Sequence, residues 1–238
     1  MSVLDRPALL PETFARWFAG RGWTPRAHQL ELLARARAGH SVLLIAPTGG
    51  GKTLAGFLPS LVELSSATIP LSSRSGRAGS RIEGHLNMAP IPPTTRQGKA
   101  GHFLRATPNV YRAGGLHTLY ISPLKALAVD IARNLEIPIA EMRLPIRIET
   151  RTGDTPASKR HRQRHDPPNI LLTTPEQLAL LLASADAPYL FGSLKRVILD
   201  ELHALVASKR GDLLSLGLAR LFRLAPNLAS IGLSATVA

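Results

Sequence analysis

Six short apolar runs, "SVLLIA", "LHTLYIS", "IRIET", "NILLTT", "RVILD" and "LASIGLSA", recur along the chain. Between them lie longer segments, "GKTLAGFLPSLVEL", "PLKALAVDIARNL", "PEQLALLLASA" and "GDLLSLGLARLFRL", whose apolar residues fall at three- and four-residue spacing. Strand-length runs alternating with amphipathic helical patterns specify an α/β fold, a mostly parallel sheet with helices on both faces. The runs are rich in Ile, Leu and Val, as expected of strands buried on both sides. Pro123 after Ser122 and Pro175 after Thr174 stand at first helical positions, where a missing N–H costs nothing.

In an open parallel sheet ligands bind beyond the carboxyl ends of the strands. The unusual residues fall there: "APTGGGKT" after the first run, "SPLKAL" after the second, "TRTGD" after the third, and "TTPE", "DELH" and "SAT" at the next three. The chain of 238 residues has room for one sizeable core, so a single domain spanning 1–238 is expected.

The stretch "APTGGGKT" departs from the usual G-x-x-x-x-G-K-[ST] phosphate loop only in having Ala46 for the first glycine. A small residue suffices at that strand exit. Gly49, Gly50 and Gly51 let backbone N–H groups turn inward around phosphate oxygens, and the following helix presents its positive end. With Thr48 they form the nucleotide-binding loop; Lys52 is placed to reach the β- and γ-phosphates and Thr53 to put its hydroxyl on Mg²⁺. A second apolar run ends in Asp200 and Glu201. Asp200 is expected to hold Mg²⁺ through water, and Glu201 to orient and deprotonate the attacking water, although an Asp-Glu pair before a helix also serves as a cap and first-turn charge.

Lys and Arg total 29 against 16 Asp and Glu, a formal charge of +13, which suits a polyanionic partner or simple solubility. Much of the excess, Arg74, Arg77, Arg81, Arg96, Lys99, Arg105 and Arg112, lies between Ser65 and Gly115 with one acid, Glu83. That stretch is rich in Ser, Gly and Pro and is expected to be a flexible insertion, either a nucleic-acid tether or a tolerated surface segment. His161 and His165 are four apart in "SKRHRQRHD", but the surrounding Lys and Arg repel a cation, so the segment reads as a solvated or phosphate-touching basic helix. With no cysteine and no apolar stretch of membrane-spanning length, neither a thiolate metal site nor a membrane is expected, and the cytoplasm is the default location.

This ordered set resembles the first RecA-like domain of a superfamily 2 DExH-box helicase, in which the form A-P-T-G-x-G-K-T is native. The wordings "YISPLKALAVDIARNL", "LLTTPEQLALLLA" and "VILDELHAL" are most similar to Lhr-type and ligase-associated DEXH-box DNA helicases. The resemblance implies an ATP- and Mg²⁺-dependent motor moving 3′ to 5′ on single-stranded DNA in repair, with Lys52, Asp200 and Glu201 catalytic. It implies that Gln29 in "GWTPRAHQ" reads the adenine edge beside a nearby aromatic or arginine, where the residues alone also allow an ordinary helix start after Pro25. It carries nucleic-acid contacts onto Lys125, Thr152, Gly153, Thr174 and Pro175, which strand-to-helix capping would also require, and coupling onto Ser234 and Thr236. An RNA-directed helicase domain and a non-catalytic nucleotide-dependent module remain the rival readings. Relatives continue past "SAT" into a second RecA-like domain whose arginines reach the γ-phosphate. That domain is expected in cis or in trans, and the 238 residues alone are expected to bind ATP without unwinding.

Overall fold

The computed structural model describes residues 9–47, 49–66, 115–206 and 208–235. In chain order the elements are α1 (Glu12–Gly20), α2 (Ala27–Arg37), β1 (Val42–Ile45), α3 (Lys52–Ser66), β2 (Thr118–Ile121), α4 (Lys125–Glu141), β3 (Ile148–Arg151) and α5 (Ala157–His165). Then follow β4 (Ile170–Thr173), α6 (Pro175–Leu182), α7 (Ala187–Phe191), β5 (Arg196–Leu199), α8 (Leu202–Val206), α9 (Lys209–Leu224) and β6 (Ala229–Ser234). The strands form one six-stranded sheet in the order β1-β6-β5-β2-β4-β3, with every neighbouring pair parallel. All six carboxyl ends therefore lie along one rim.

Strand alternation divides the core in two. Tyr120, Ile198, Ile231 and Leu233 pack with Phe14, Phe18, Leu33, Phe57, Leu61 and Ile131 from α1 to α4. Leu119, Ile121, Val197 and Leu199 turn the other way, onto Leu178, Phe191, Leu214 and Leu221 of α6, α7 and α9. Helices cover both faces, as the alternating pattern requires.

The expectation of strands buried on both faces holds for β2, β4 and β5, where every residue is buried, but not at the edges. In the edge strand β1, Val42 and Leu44 pack on the α1–α4 side, while Leu43 and Ile45, on the opposite face, are 55% and 44% exposed. In the other edge strand, β3, the buried residues are Glu149 and Arg151. α5 lies along that edge: Gln163 Nε2 donates to Glu149 Oε2 at 2.8 Å and to Thr150 O at 3.1 Å, and Arg162 reaches Glu149 Oε1 at 2.7 Å. A polar helix thus satisfies an edge that an apolar one would leave unpaired.

α4 runs past the expected stop at Leu135, through Pro138 to Glu141, with Leu135 and Ile139 buried. Under the amino ends of β2 and β5 lies a polar knot. Arg196 donates to Glu63 through both Nη atoms at 3.1 and 2.8 Å and to Ser60 Oγ at 3.3 Å, and His117 Nε2 stands 3.1 Å from Glu63. Of the segment read as an insertion, Ser65 and Ser66 close α3; residues 67–114 lie outside the described residues. Among the described residues no helix is long and apolar enough to cross a membrane.

Candidate nucleotide and nucleic-acid site

The loop joining β1 to α3 has the backbone its sequence demands. Gly49 and Gly51 hold φ of +78° and +75°, where a side chain would be strained, and a Cβ on Gly50 would lie 2.8 Å from Pro47 O. Glycines are therefore needed at all three positions. Lys52 opens α3 with only 8% of its surface exposed, and its Nζ is buried without a hydrogen-bond partner among the described residues. An ammonium in that state, at the positive end of a helix, is set up for an anion.

α2 is tied to this loop. Gln29, 4% exposed, accepts from Arg26 N at 2.9 Å through Oε1 and donates to Gly51 O at 3.4 Å through Nε2, while Arg26 Nη1 reaches Gly49 O at 3.5 Å. Gln29, Arg26, Gly51 and Thr53 share with Trp17 and Trp23 the wall of a cleft of about 650 Å³. The rings of Trp17 and Trp23 meet edge-on at 5.8 Å, and the Arg21 guanidinium stands 5.3 and 5.0 Å from their centroids. Glu141 anchors the cluster, accepting from Arg21 at 2.5 and 3.0 Å and from Trp17 Nε1 at 2.6 Å. Arg21 and then Trp17 hold its carboxyl below the usual range. Arg26 and Trp23 thus lie in the same cleft wall as Gln29.

Across β6 from the loop, β5 is followed directly by Asp200, which is 4% exposed. Its Oδ1 accepts from Glu201 N at 2.9 Å and its Oδ2 from Tyr120 Oη at 2.5 Å. Burial, followed by the Asp200 carboxylate, pushes the Tyr120 phenol well above its ordinary pKa, so it stays a donor. Glu201 has φ of +46°, a left-handed conformation that costs a non-glycine residue about 1–3 kcal/mol. This strain sits at the carboxylate expected from the sequence to orient water. His203 stands 3.4 Å from Glu201 Oε2 through Nε2 and 3.1 Å from Ser234 Oγ through Nδ1, joining the exits of β5 and β6.

Further along the rim, Lys125 Nζ donates to Asp154 Oδ2 at 2.7 Å, linking the α4 start to the turn after β3. In that turn Thr152 N donates to Thr155 Oγ1 at 2.9 Å, and a Cβ on Gly153 would meet nothing within 4 Å, so its surroundings are open. Thr174 and Pro175 are the N-cap and first residue of α6, both buried, and the Thr174 side chain makes no capping bond. The next residue, Glu176, is held by Arg210 of α9 at 2.5 and 3.1 Å, and chiefly by that contact its carboxyl falls to a pKa of about 2.

The structure thus brings Gln29, Gly49, Gly50, Gly51, Lys52 and Thr53 together at one end of the rim, with Asp200, Glu201 and Ser234 on the neighbouring strand exits, and spreads Lys125, Thr152, Gly153, Thr174 and Pro175 along the remainder. Thr48 and Thr236 lie outside the described residues. His161 and His165 have ring centroids 4.7 Å apart, and among the described residues no group of three or more His, Asp or Glu residues is arranged to hold a metal ion. Sequence reasoning missed Tyr120, Arg21, Trp17 and His203. Only the His of "DELH" carried a local signal.

A family model for DEAD/DEAH box helicases matches residues 26–238. The Lhr helicase/uracil glycosylase of Escherichia coli K12 is 38% identical over 248 aligned residues, covering 98% of this chain and 14% of the relative. The ATP-dependent helicase Lhr-Core protein 2 of Thermococcus barophilus is 34% identical over 239, covering 96% and 23%. Among solved structures, Mycobacterium smegmatis helicase Lhr bound to ssDNA and AMP-PNP is similar at 35% identity and a TM-score of 0.70, over 97% of this chain and 25% of that one. The chain spans a quarter or less of the length of these relatives. Its rim of motifs in order, and the match over nearly all its residues, place it plainly: the chain belongs to the DEAD/DEAH box helicase family.

Proposed function

We propose that this chain is the ATP-binding motor domain of a DNA helicase working 3′ to 5′ in repair, holding Mg-ATP in the glycine loop and single-stranded DNA along the rest of the rim. The observation that carries the reading is Lys52, a buried ammonium without a partner among the described residues, in a loop where a Cβ on Gly50 would meet Pro47 O. The donor set fits the nucleotide. Backbone N–H groups of the loop and Lys52 donate to phosphate oxygens, Gln29 offers its amide to the adenine edge, and Thr53 and Asp200 supply oxygens suited to Mg²⁺. When bound, the metal neutralises phosphate charge and polarises the phosphoryl group. Glu201, held in its strained conformation, takes the proton of the attacking water. Contact of His203 with both Glu201 and Ser234 ties this chemistry to the neighbouring strand exit.

Single-stranded DNA is favoured by the net charge of +13 and by the solved relative, which holds ssDNA and AMP-PNP. Stabilising the transferring phosphoryl group takes an arginine from across the cleft, worth roughly 10³ to 10⁵ in rate in related systems. The 238 residues alone are therefore expected to bind ATP, to turn it over slowly, and to leave duplexes intact until a second RecA-like domain is supplied. The test is calorimetric titration with a non-hydrolysable ATP analogue with and without Mg²⁺, alongside phosphate release with and without single-stranded DNA. Metal-dependent binding with turnover far below one per second is the expected result. Absence of nucleotide binding would refute the assignment, and DNA-stimulated turnover of several per second would refute the need for a second domain.

A further inference from the structure

At the β3 edge of the sheet a second cavity, of about 440 Å³, opens between α5 and α6, with Arg151, Arg160, His161, Arg164, Gln177 and Leu180 in its wall. No carboxylate is among the residues lining it. Arg151 is 3% exposed; its Nη1 donates to Arg160 O at 2.9 Å and to Gln163 Oε1 at 3.4 Å, but its Nε is buried without a partner among the described residues. Arg164 Nε and Gln177 Oε1 are orphaned in the same way, and the nearest carboxylate to Arg164, on Asp186, is 3.9 Å away. The two ends of the Gln177 amide are exchangeable by a flip, so it can present N–H to the cavity as readily as oxygen.

Guanidinium groups gathered around a half-open cavity with no carboxylate in its wall repel one another. Burial first, then Arg164 and Arg160, bring the Arg151 pKa down to about 10, which still leaves it charged at neutral pH. A tetrahedral oxyanion relieves this, because its oxygens accept from several guanidinium forks at once. We propose that this cavity holds a phosphate group, as a site separate from the glycine loop, and that the phosphate belongs to the nucleic-acid strand lying on the rim. Arg151 immediately precedes Thr152 and Gly153, and Gln177 follows Pro175 by two residues, so the cavity adjoins the exits of β3 and β4. Leu180, 61% exposed, gives a sugar an apolar surface at its wall. The choice of strand over free phosphate rests on the function proposed above; the phosphate site itself does not.

The experiment compares the full chain, Arg160→Glu and Arg151→Gln, each also in a Lys52→Met background that silences the glycine loop. The first measurement is inorganic phosphate binding by calorimetry; the second is the salt dependence of oligo(dT) affinity by fluorescence anisotropy. Arg160→Glu places a carboxylate among the arginines, so its melting temperature should hold or rise while the site is blocked. Lys52→Met should keep one phosphate site, and adding Arg160→Glu or Arg151→Gln should abolish it. Without the Lys52 change, both variants should lower the log–log salt slope by about 0.7, one strand phosphate, and leave ATP-analogue affinity unaltered. Loss of phosphate binding with an unchanged slope, or with no oligonucleotide bound by any form, keeps the phosphate site and overturns the strand as its source. Folded Arg160→Glu that binds phosphate and oligo(dT) as well as the parent overturns the site.

Discussion

Lys52→Met removes an ammonium that is buried and unpartnered among the described residues, and leaves in its place an unbranched apolar side chain of similar length. Two unfavourable terms vanish from the nucleotide-free chain. A buried charged donor without an acceptor costs about 1–3 kcal/mol. A cation in the first turn of α3 opposes the helix dipole by roughly 0.3–1 kcal/mol more. The variant should therefore be more stable by about 1–4 kcal/mol, and for a domain of this size each kcal/mol moves the melting temperature by about 2–4 °C.

Function moves the other way. Wild type in Mg-ATP at a hundred times Kd gains about 2.7 kcal/mol from ligand binding, and the variant should gain almost none. Thermal unfolding followed by circular dichroism, with and without nucleotide, reads both effects, and ATP should shift the difference towards wild type by about 2.7 kcal/mol, reversing the order where the variant's lead is smaller than that. A nucleotide-free variant that melts below wild type would refute the idea that Lys52 is held in an unfavourable state for a ligand. A variant that is still stabilised by ATP would refute its place in the site.

Tyr120→Phe keeps the stack on Phe57, at 5.3 Å between centroids, but deletes the donor to Asp200 Oδ2; a hydrogen bond to a charged group is worth about 1.5–3 kcal/mol. Stability in urea should fall by that amount, and the Mg²⁺ concentration needed for half-maximal nucleotide binding should rise, whereas an unchanged metal requirement would leave Tyr120 a core residue only. Burial tends to raise the Glu63 pKa, but His117 and Arg196 outweigh it and bring it from 4.5 to about 2. Because the folded pKa is depressed, the stabilisation is full above pH 4.5 and is lost as pH falls towards 2; Glu63→Gln should flatten the acid limb of a stability–pH curve, and an unaltered limb would refute the contribution.

Local physics made most of the fold legible. β2, β4 and β5 are buried on both faces, so each is a continuous apolar run and its place could be read directly. "ASKRHRQRH", now α5, shows no apolar stripe because its one buried residue, Gln163, faces the equally polar Glu149 and Thr150. A helix docked through hydrogen bonds leaves no hydrophobic period to detect. The phosphate loop was legible because its glycines and lysine act within a few residues of one another. Tyr120 was not: its role depends on the β2–β5 register that sets it opposite Ile198, with Asp200 two residues further on and on the same side of the sheet. Inside "LHTLYIS" it reads as one more core residue.

The cations of the rim fall into two groups that a polyanion would meet differently. Lys125 and Arg210 already hold carboxylates, Asp154 and Glu176, in exposed or half-exposed pairs. Such pairs contribute at most about 1 kcal/mol, so a strand phosphate can displace Asp154 from Lys125 at small cost, and until then the pairing holds the lysine near the β3 turn. Lys52 and Arg151 have no carboxylate partner among the described residues and are nearly buried, so an anion reaching either gains a strong, poorly screened interaction. A polyanion would therefore exchange at the paired cations and be held by the unpaired ones. Among the described residues, these four cations differ in what an anion would gain from them, which a solubilising coat alone does not require. Salt should therefore weaken contacts at Lys125 well before it weakens those at Lys52 or in the α5–α6 cavity.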